Sequence, residues 1–306
     1  MHHRAYFDWK LRTRALALGT ATRVMGILNV TPDSFSDGGL LHSIDEAVKA
    51  ALAMFADGAT VVDVGGESTR PGGGAAISTQ QEIDRVVPVI EGIRQASPDA
   101  LLSIDTYRAP TAQAAIAAGA EIVNDVSGFL WDDAMAATCA ELRCGVILMH
   151  ARGRPQEWKS LPRLTPKEVL PLVKRELGQR LSVAIAAGIA PEHIVLDPGF
   201  GFGKMQDANY PLLLGLPELS TLGQPLLAGV SRKSFLGHTL APLYGAANAP
   251  VSAREHATLA ASTIAILMGA SLVRVHQVRP AVEAALIADA VLAHGSSQVH
   301  GSSQLP

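Results

Sequence analysis

The chain has 306 residues, is 48% hydrophobic and carries a formal net charge of −3, so it can bury a sizeable core and is a poor candidate for non-specific nucleic-acid binding. Its two cysteines, Cys139 and Cys144, exclude a disulfide framework, fit no metal or redox spacing and read as buried thiols of a reducing compartment. No apolar run is long enough to span a bilayer, and the opening Met1-His2-His3-Arg4 lacks the apolar core of a signal peptide, so a cytoplasmic protein without membrane contact is expected.

Residues 1–22 come first. Phe7, Trp9, Leu11, Leu16 and Leu18 alternate roughly, which predicts a short N-terminal hairpin packed on one end of the main domain. Short apolar runs follow at 23–30, 60–66, 101–106, 121–126, 145–150, 193–198, 225–230 and 272–278. Amphipathic, alanine-rich segments lie between and after them, at 44–57, 79–97, 109–118, 132–143, 166–188, 207–221, 253–269 and 279–293. Ser43 is placed to cap the first of these, with Glu46 at the capping-box position. Eight strands alternating with helices predict an α/β protein with a parallel sheet, and eight is the number that closes a (β/α)8 TIM barrel over 23–293. A doubly wound open sheet is the alternative, but no Gly-x-Gly-x-x-Gly follows the first strand. Two long polar loops, 31–42 and 67–78, are expected to be mobile. The tail, 294–306, is too poor in apolar residues to fold.

In such a barrel the active site lies at the carboxyl ends of the strands. Polar residues collect there in this chain: Asn29, Asp63, Asp105, Asn124 with Asp125, His150, Asp197, the run Ser231-Arg232-Lys233, and Arg274 with His276. Any one could be an ordinary satisfied strand end; the set is hard to explain that way. Arg274 and His276 are two apart and share a strand face, so together they suit an anion. Asn29 offers a neutral oxygen to a hard cation such as Mg²⁺ whose other ligands are phosphate oxygens. Asp105, Asn124 and Asp197 can accept from several N–H groups of one flat heterocycle, and Lys233 can donate to it.

The stretch Val195-Leu196-Asp197-Pro198-Gly199-Phe200-Gly201-Phe202-Gly203-Lys204 joins a buried strand to a glycine-broken loop. Its carboxylate, two rings and Lys204 cation suit a flat, partly anionic ligand, although Gly-Phe-Gly also occurs in ordinary tight loops.

Met25 to Gly39 reads Met-Gly-Ile-Leu-Asn-Val-Thr-Pro-Asp-Ser-Phe-Ser-Asp-Gly-Gly, and Asp63 to Gly72 reads Asp-Val-Gly-Gly-Glu-Ser-Thr-Arg-Pro-Gly. With Ser103-Ile104-Asp105-Thr106, Val123 to Gly128, Asp197 to Lys204, Ser231-Arg232-Lys233 and Arg274-Val275-His276, the sequence resembles the dihydropteroate synthase family from about residue 23 to 280. The resemblance implies a (β/α)8 barrel, a homodimer, and Mg²⁺-dependent condensation of 6-hydroxymethyl-7,8-dihydropterin pyrophosphate with 4-aminobenzoate. It also implies roles: Asp105, Asn124, Asp197 and Lys233 hold the pterin, and Arg274 stacks on its ring. Asn29, Arg70, Arg274 and His276 hold pyrophosphate, with Asn29 on the metal. Thr69, Arg70, Pro71, Phe202 and Ser231 shape the aminobenzoate site. Asp105, Asp197, Lys233 and Arg274 are the expected catalytic group. Two positions depart from the family's usual pattern, Ala151 where Met is usual and Gln277 where Asp is usual. A pterin-dependent methyltransferase domain and a non-catalytic pterin-binding protein remain as alternatives on the same barrel.

Overall fold

The computed structural model describes residues 4–30, 43–68 and 77–299. Loop 31–42, most of loop 67–78 with Thr69, Arg70 and Pro71, and residues 300–306 lie outside the described residues.

The strands are β1 (Phe7–Lys10), β2 (Ala15–Leu18), β3 (Arg23–Asn29), β4 (Val61–Gly65), β5 (Leu102–Asp105), β6 (Ile122–Asp125), β7 (Gly145–Met149), β8 (Ile194–Asp197), β9 (Leu227–Ala228) and β10 (Leu272–Val275). The α-helices are α1 (Ile44–Ala56), α2 (Thr79–Ala96), α3 (Ala109–Ala118), α4 (Met135–Leu142), α5 (Val169–Ala186), α6 (Asn209–Leu214), α7 (Leu216–Leu219), α8 (Ser234–Tyr244), α9 (Glu255–Leu267) and α10 (Val278–Val299). The order β8-β7-β6-β5-β4-β3-β10-β9 is parallel throughout, and a single parallel bridge between Leu196 and Leu226 joins β8 to the approach of β9. The result is the expected barrel with an antiparallel hairpin, β1–β2, at its amino-terminal end.

Local chemistry explains where elements begin. Ser43 Oγ accepts the Glu46 N–H at 3.2 Å, as expected. At α2, Ser78 and Gln81 form a full reciprocal capping box at 3.2 and 2.9 Å. The hairpin seals the amino-terminal end of the barrel: Trp9, Leu11 and Leu18 pack with Met25, Val61, Ile122, Ile147, Val195 and Leu272 from the barrel interior. The Trp9 indole donates to the His193 carbonyl at 2.8 Å, so the one polar atom of this plug is satisfied.

The structure differs from the sequence reading in three places. The segment 207–221 is split into α6 and α7 at Gly215, where Pro217 starts the next turn and cannot continue the last one. Helix α8 was not expected; Pro242 and Gly237 within it weaken the helical pattern. Helix α10 runs to Val299, so residues 294–299 of the expected unstructured tail continue a helix already nucleated upstream.

Candidate active site

A cavity of about 280 Å³ opens at the carboxyl ends of the strands. It gathers Asn29, Asp105, Asn124, Asp197, Phe202, Ser231, Lys233, Arg274 and His276, which are all the expected site residues that lie within the described chain. They come from six strands or the turns just after them, which is why no local window of sequence contains the site.

The floor is an ion-pair network. Arg274 Nε meets Asp63 Oδ2 at 2.7 Å, and its Nη2 meets Asp105 Oδ2 at 2.6 Å. Asn124 Nδ2 donates to the same Asp63 oxygen at 2.9 Å. Asp63 is fully buried and absent from the expected contacts; the sign of its importance in the sequence was a carboxylate inside an apolar strand, which must be paired. Asp197 Oδ1 accepts the Gly199 N–H at 2.7 Å. Burial pushes the Asp105 carboxyl up to about 7 against the pull of Arg274, and the Asp197 carboxyl up to about 6 against the Gly199 N–H.

On the other wall, Lys233 Nζ sits 4.0 Å from the centre of the Phe202 ring, a cation–π contact. Ser231 Oγ and His276 Nδ1 are 2.9 Å apart, so the loop after β9 is tied to the end of β10. Trp158, not foreseen, lines the cavity and meets Phe202 edge-on at 5.2 Å. Glu67 also lines it, held by Arg108 at 2.7 Å and by the Tyr107 hydroxyl at 3.0 Å.

Some strand-end residues do ordinary structural work. Asp125 accepts from Ser127 N and Oγ, both at 2.7 Å, and from Phe129 N at 3.0 Å, closing a turn. Phe200 and Lys204 correct the reading of the glycine-rich stretch. Phe200 is fully buried and stacks on Phe235 at 6.4 Å, inside the core. Lys204 is 1% exposed and turned away from the cavity, toward His150. Of the two departures from the family pattern, Ala151 is buried beside Val126 and Met149, and Gln277 is exposed outside the cavity wall.

The family model described as "Pterin binding enzyme" matches residues 25–276. The dihydropteroate synthase of Mycobacterium leprae is 46% identical over 283 residues, covering 90% of this chain and 95% of that one. The chain belongs to the dihydropteroate synthase family of pterin-binding enzymes. The solved dihydropteroate synthase of Yersinia pestis, in complex with a sulfonamide drug, superposes with a TM-score of 0.85 at 40% identity, covering 94% of this chain and all of that one. That of Xanthomonas albilineans in complex with 7,8-dihydropteroate gives 0.79 at 37% identity, covering 94% and 99%. Dihydropteroate synthases are transferases of folate synthesis. Among the described residues no helix is long and apolar enough to cross a membrane.

The raised carboxyls of Asp105 and Asp197 carry a pH prediction. Above the ordinary carboxylate value the empty site retains protons that the unfolded chain has lost, so stability falls as pH rises from 3.8 through about 6 and about 7. A heterocycle offering N–H donors needs these carboxylates ionised and expels those protons. Affinity for a pterin analogue, measured by calorimetry, is therefore expected to rise through the same interval and level off above it. A flat affinity across that interval would show that neither carboxylate receives the ring.

Proposed function

We propose that the cavity takes the pterin ring of 6-hydroxymethyl-7,8-dihydropterin pyrophosphate onto Asp105, Asn124, Asp197 and Lys233, with Arg274 over the ring and at the diphosphate beside His276. The observation that carries this reading is the convergence of these residues on one cavity of about 280 Å³, lined by the Asp105–Arg274 ion pair, Asp197 and Lys233 together. Phe202 and Ser231 line the aminobenzoate end; by the family resemblance of the sequence, Thr69, Arg70 and Pro71 share that role and Arg70 also serves the diphosphate. The X. albilineans complex with 7,8-dihydropteroate supports a product of that class. A homodimer in the cytoplasm belongs to the same reading, supported by the family and by two buried free thiols that suit a reducing compartment.

Asn29 is the described residue suited to Mg²⁺. No cluster of three or more His, Cys, Asp or Glu side chains capable of holding a metal exists among the described residues. One neutral side-chain oxygen at the cavity wall fits an ion whose remaining ligands are diphosphate oxygens and water. When bound, the ion neutralises diphosphate charge and makes it a better leaving group.

The protein's own part is electrostatic and positional. Arg274 and His276 bind the diphosphate as the C–O bond breaks. Positive charge then spreads from the exocyclic carbon into the dihydropterin ring, where the carboxylates of Asp105 and Asp197 favour it. Phe202 and Ser231 hold aminobenzoate so that its amine faces that carbon; the C–N bond forms and the amine proton leaves to water. The amine is itself the nucleophile, so no covalent bond to the protein is required. Mixing the protein with both substrates and Mg²⁺ and assaying pyrophosphate release tests the whole reading. Binding of a pterin without pyrophosphate release would reduce the protein to a binder.

Asn29→Ala is expected to raise the Mg²⁺ concentration needed for half-maximal turnover while a pterin analogue binds as before. An unchanged Mg²⁺ titration would remove Asn29 from the metal.

A further inference from the structure

Behind the cavity wall lies a chain of three titratable groups that the reaction does not use. Lys204 is 1% exposed, and its ammonium has three acceptors: His150 Nδ1 at 2.8 Å, the His150 carbonyl at 3.1 Å and the Phe202 carbonyl at 3.0 Å. Burial pushes its pKa well down from the ordinary lysine value, and in either form it is its N–H groups that donate to the two carbonyls. On its far side, His150 Nε2 meets Glu176 Oε2 at 2.9 Å, and Glu176 stands on α5 with its side chain 34% exposed.

The donors and acceptors fix the tautomer. Glu176, whose carboxyl is held below its ordinary value first by the hydrogen bond from His150, can only accept, so Nε2–H donates to it; in the neutral ring Nδ1 then carries the lone pair and accepts from Lys204. The neutral ring is consistent with burial, which lowers His150 to about 4. Glu176 thus sets the orientation of a ring 26 residues away in sequence, and the ring holds the ammonium.

What the ammonium holds bears on the site. Its bond to the Phe202 carbonyl fixes the residue whose ring lies under Lys233. Its bond to the His150 carbonyl fixes the backbone against which Gly199 is wedged, and Gly199 supplies the N–H to Asp197. His150 N–H in turn donates to the Asp197 carbonyl at 2.9 Å. We infer that Glu176, His150 and Lys204 form a positioning chain that sets Phe202, and through Gly199 the Asp197 carboxylate, against the substrates. None of the three lines the cavity, so they act through other residues. The inference rests on the proposed placement of aminobenzoate against Phe202.

The test compares Lys204→Met, His150→Leu and His150→Asn in the full chain. Asparagine can present its carbonyl oxygen where Nδ1 stood; leucine cannot. Lys204→Met and His150→Leu are expected to raise KM for aminobenzoate by about tenfold, the scale of one charge-assisted hydrogen bond, with kcat much less affected. His150→Asn is expected to restore most of that KM. Folded Lys204→Met with an unchanged KM, or equal KM values for His150→Leu and His150→Asn, would overturn the inference. If Lys204→Met does not fold, the two His150 variants decide alone. Nitrogen-15 NMR of the ten histidines, with His150 assigned from its variant, reads the tautomer without substrates. Protonated Nε2 with an unprotonated Nδ1 is expected, and a proton on Nδ1 would refute the chain. If the wild-type protein releases no pyrophosphate, the functional reading fails while the NMR result still judges the chain.

Discussion

Arg274→Ala is expected to destabilise the barrel by about 3–5 kcal/mol and to abolish measurable turnover, the cost of leaving a buried carboxylate without its cation. Asp63 is fully buried and takes its charge-bearing contact from Arg274 Nε at 2.7 Å. Asp105 loses its 2.6 Å partner in the same step. The Asn124 amide remains on Asp63 but brings no charge. Thermal denaturation of the purified variant checks the first half, and pyrophosphate release the second. A melting midpoint within about 2 °C of the wild type would show that the network is not worth what its burial implies. Arg274→Lys is no rescue, because an ammonium cannot present two parallel N–H bonds to two carboxylates in this geometry.

Gly199→Ala should cost activity by about a hundredfold, the scale of a misplacement of about 1 Å at a reacting site. Gly199 has φ +65°, a backbone region that disfavours side chains, and an added Cβ would collide with the His150 carbonyl oxygen and lie 3.0 Å from its carbon. The obstacle is backbone, so no rotamer change relieves it. The loop must move, and with it the N–H that Gly199 gives Asp197 at 2.7 Å. A kcat/KM near wild type in pyrophosphate release would mean that the loop yields without disturbing the carboxylate.

The barrel and most of the cavity were legible in the sequence because they follow from periodicity and from where apolar runs stop. Each run ends within a few residues of the observed strand end, and the polar residue at that point, from Asn29 to His276, faces the cavity except where a turn captures it, as with Asp125, the wall takes it in, as with His150, or the floor pairs it, as with Asp63. What was not legible depends on long-range partners. Asp63 and Arg274 are 211 residues apart, so nothing near Asp63 announces its partner. Phe200 and Phe202 look equivalent, two apart in Gly-Phe-Gly-Phe-Gly. The strand has already ended at Asp197, however, and Gly199, Gly201 and Gly203 turn at φ +65°, +83° and +68°. Alternation no longer applies, and one ring enters the core while the other enters the cavity. In the sequence Lys204 counts with its neighbours toward a flat, partly anionic ligand, because its three acceptors, two of them backbone carbonyls, leave no mark there.

The closure of the barrel is uneven. Seven neighbouring strand pairs are laced by regular ladders, whereas β8 and β9 meet through one bridge at Leu196 and Leu226, below Asp197 on one side and the Ser231-Arg232-Lys233 run on the other. A molecule that touches both Asp197 and Lys233 straddles this seam. A substrate held there as proposed would act as a clasp, fastening the ring of strands at its thinnest stitch, and amide hydrogens along β8 and β9 are then expected to exchange more slowly while it is in place.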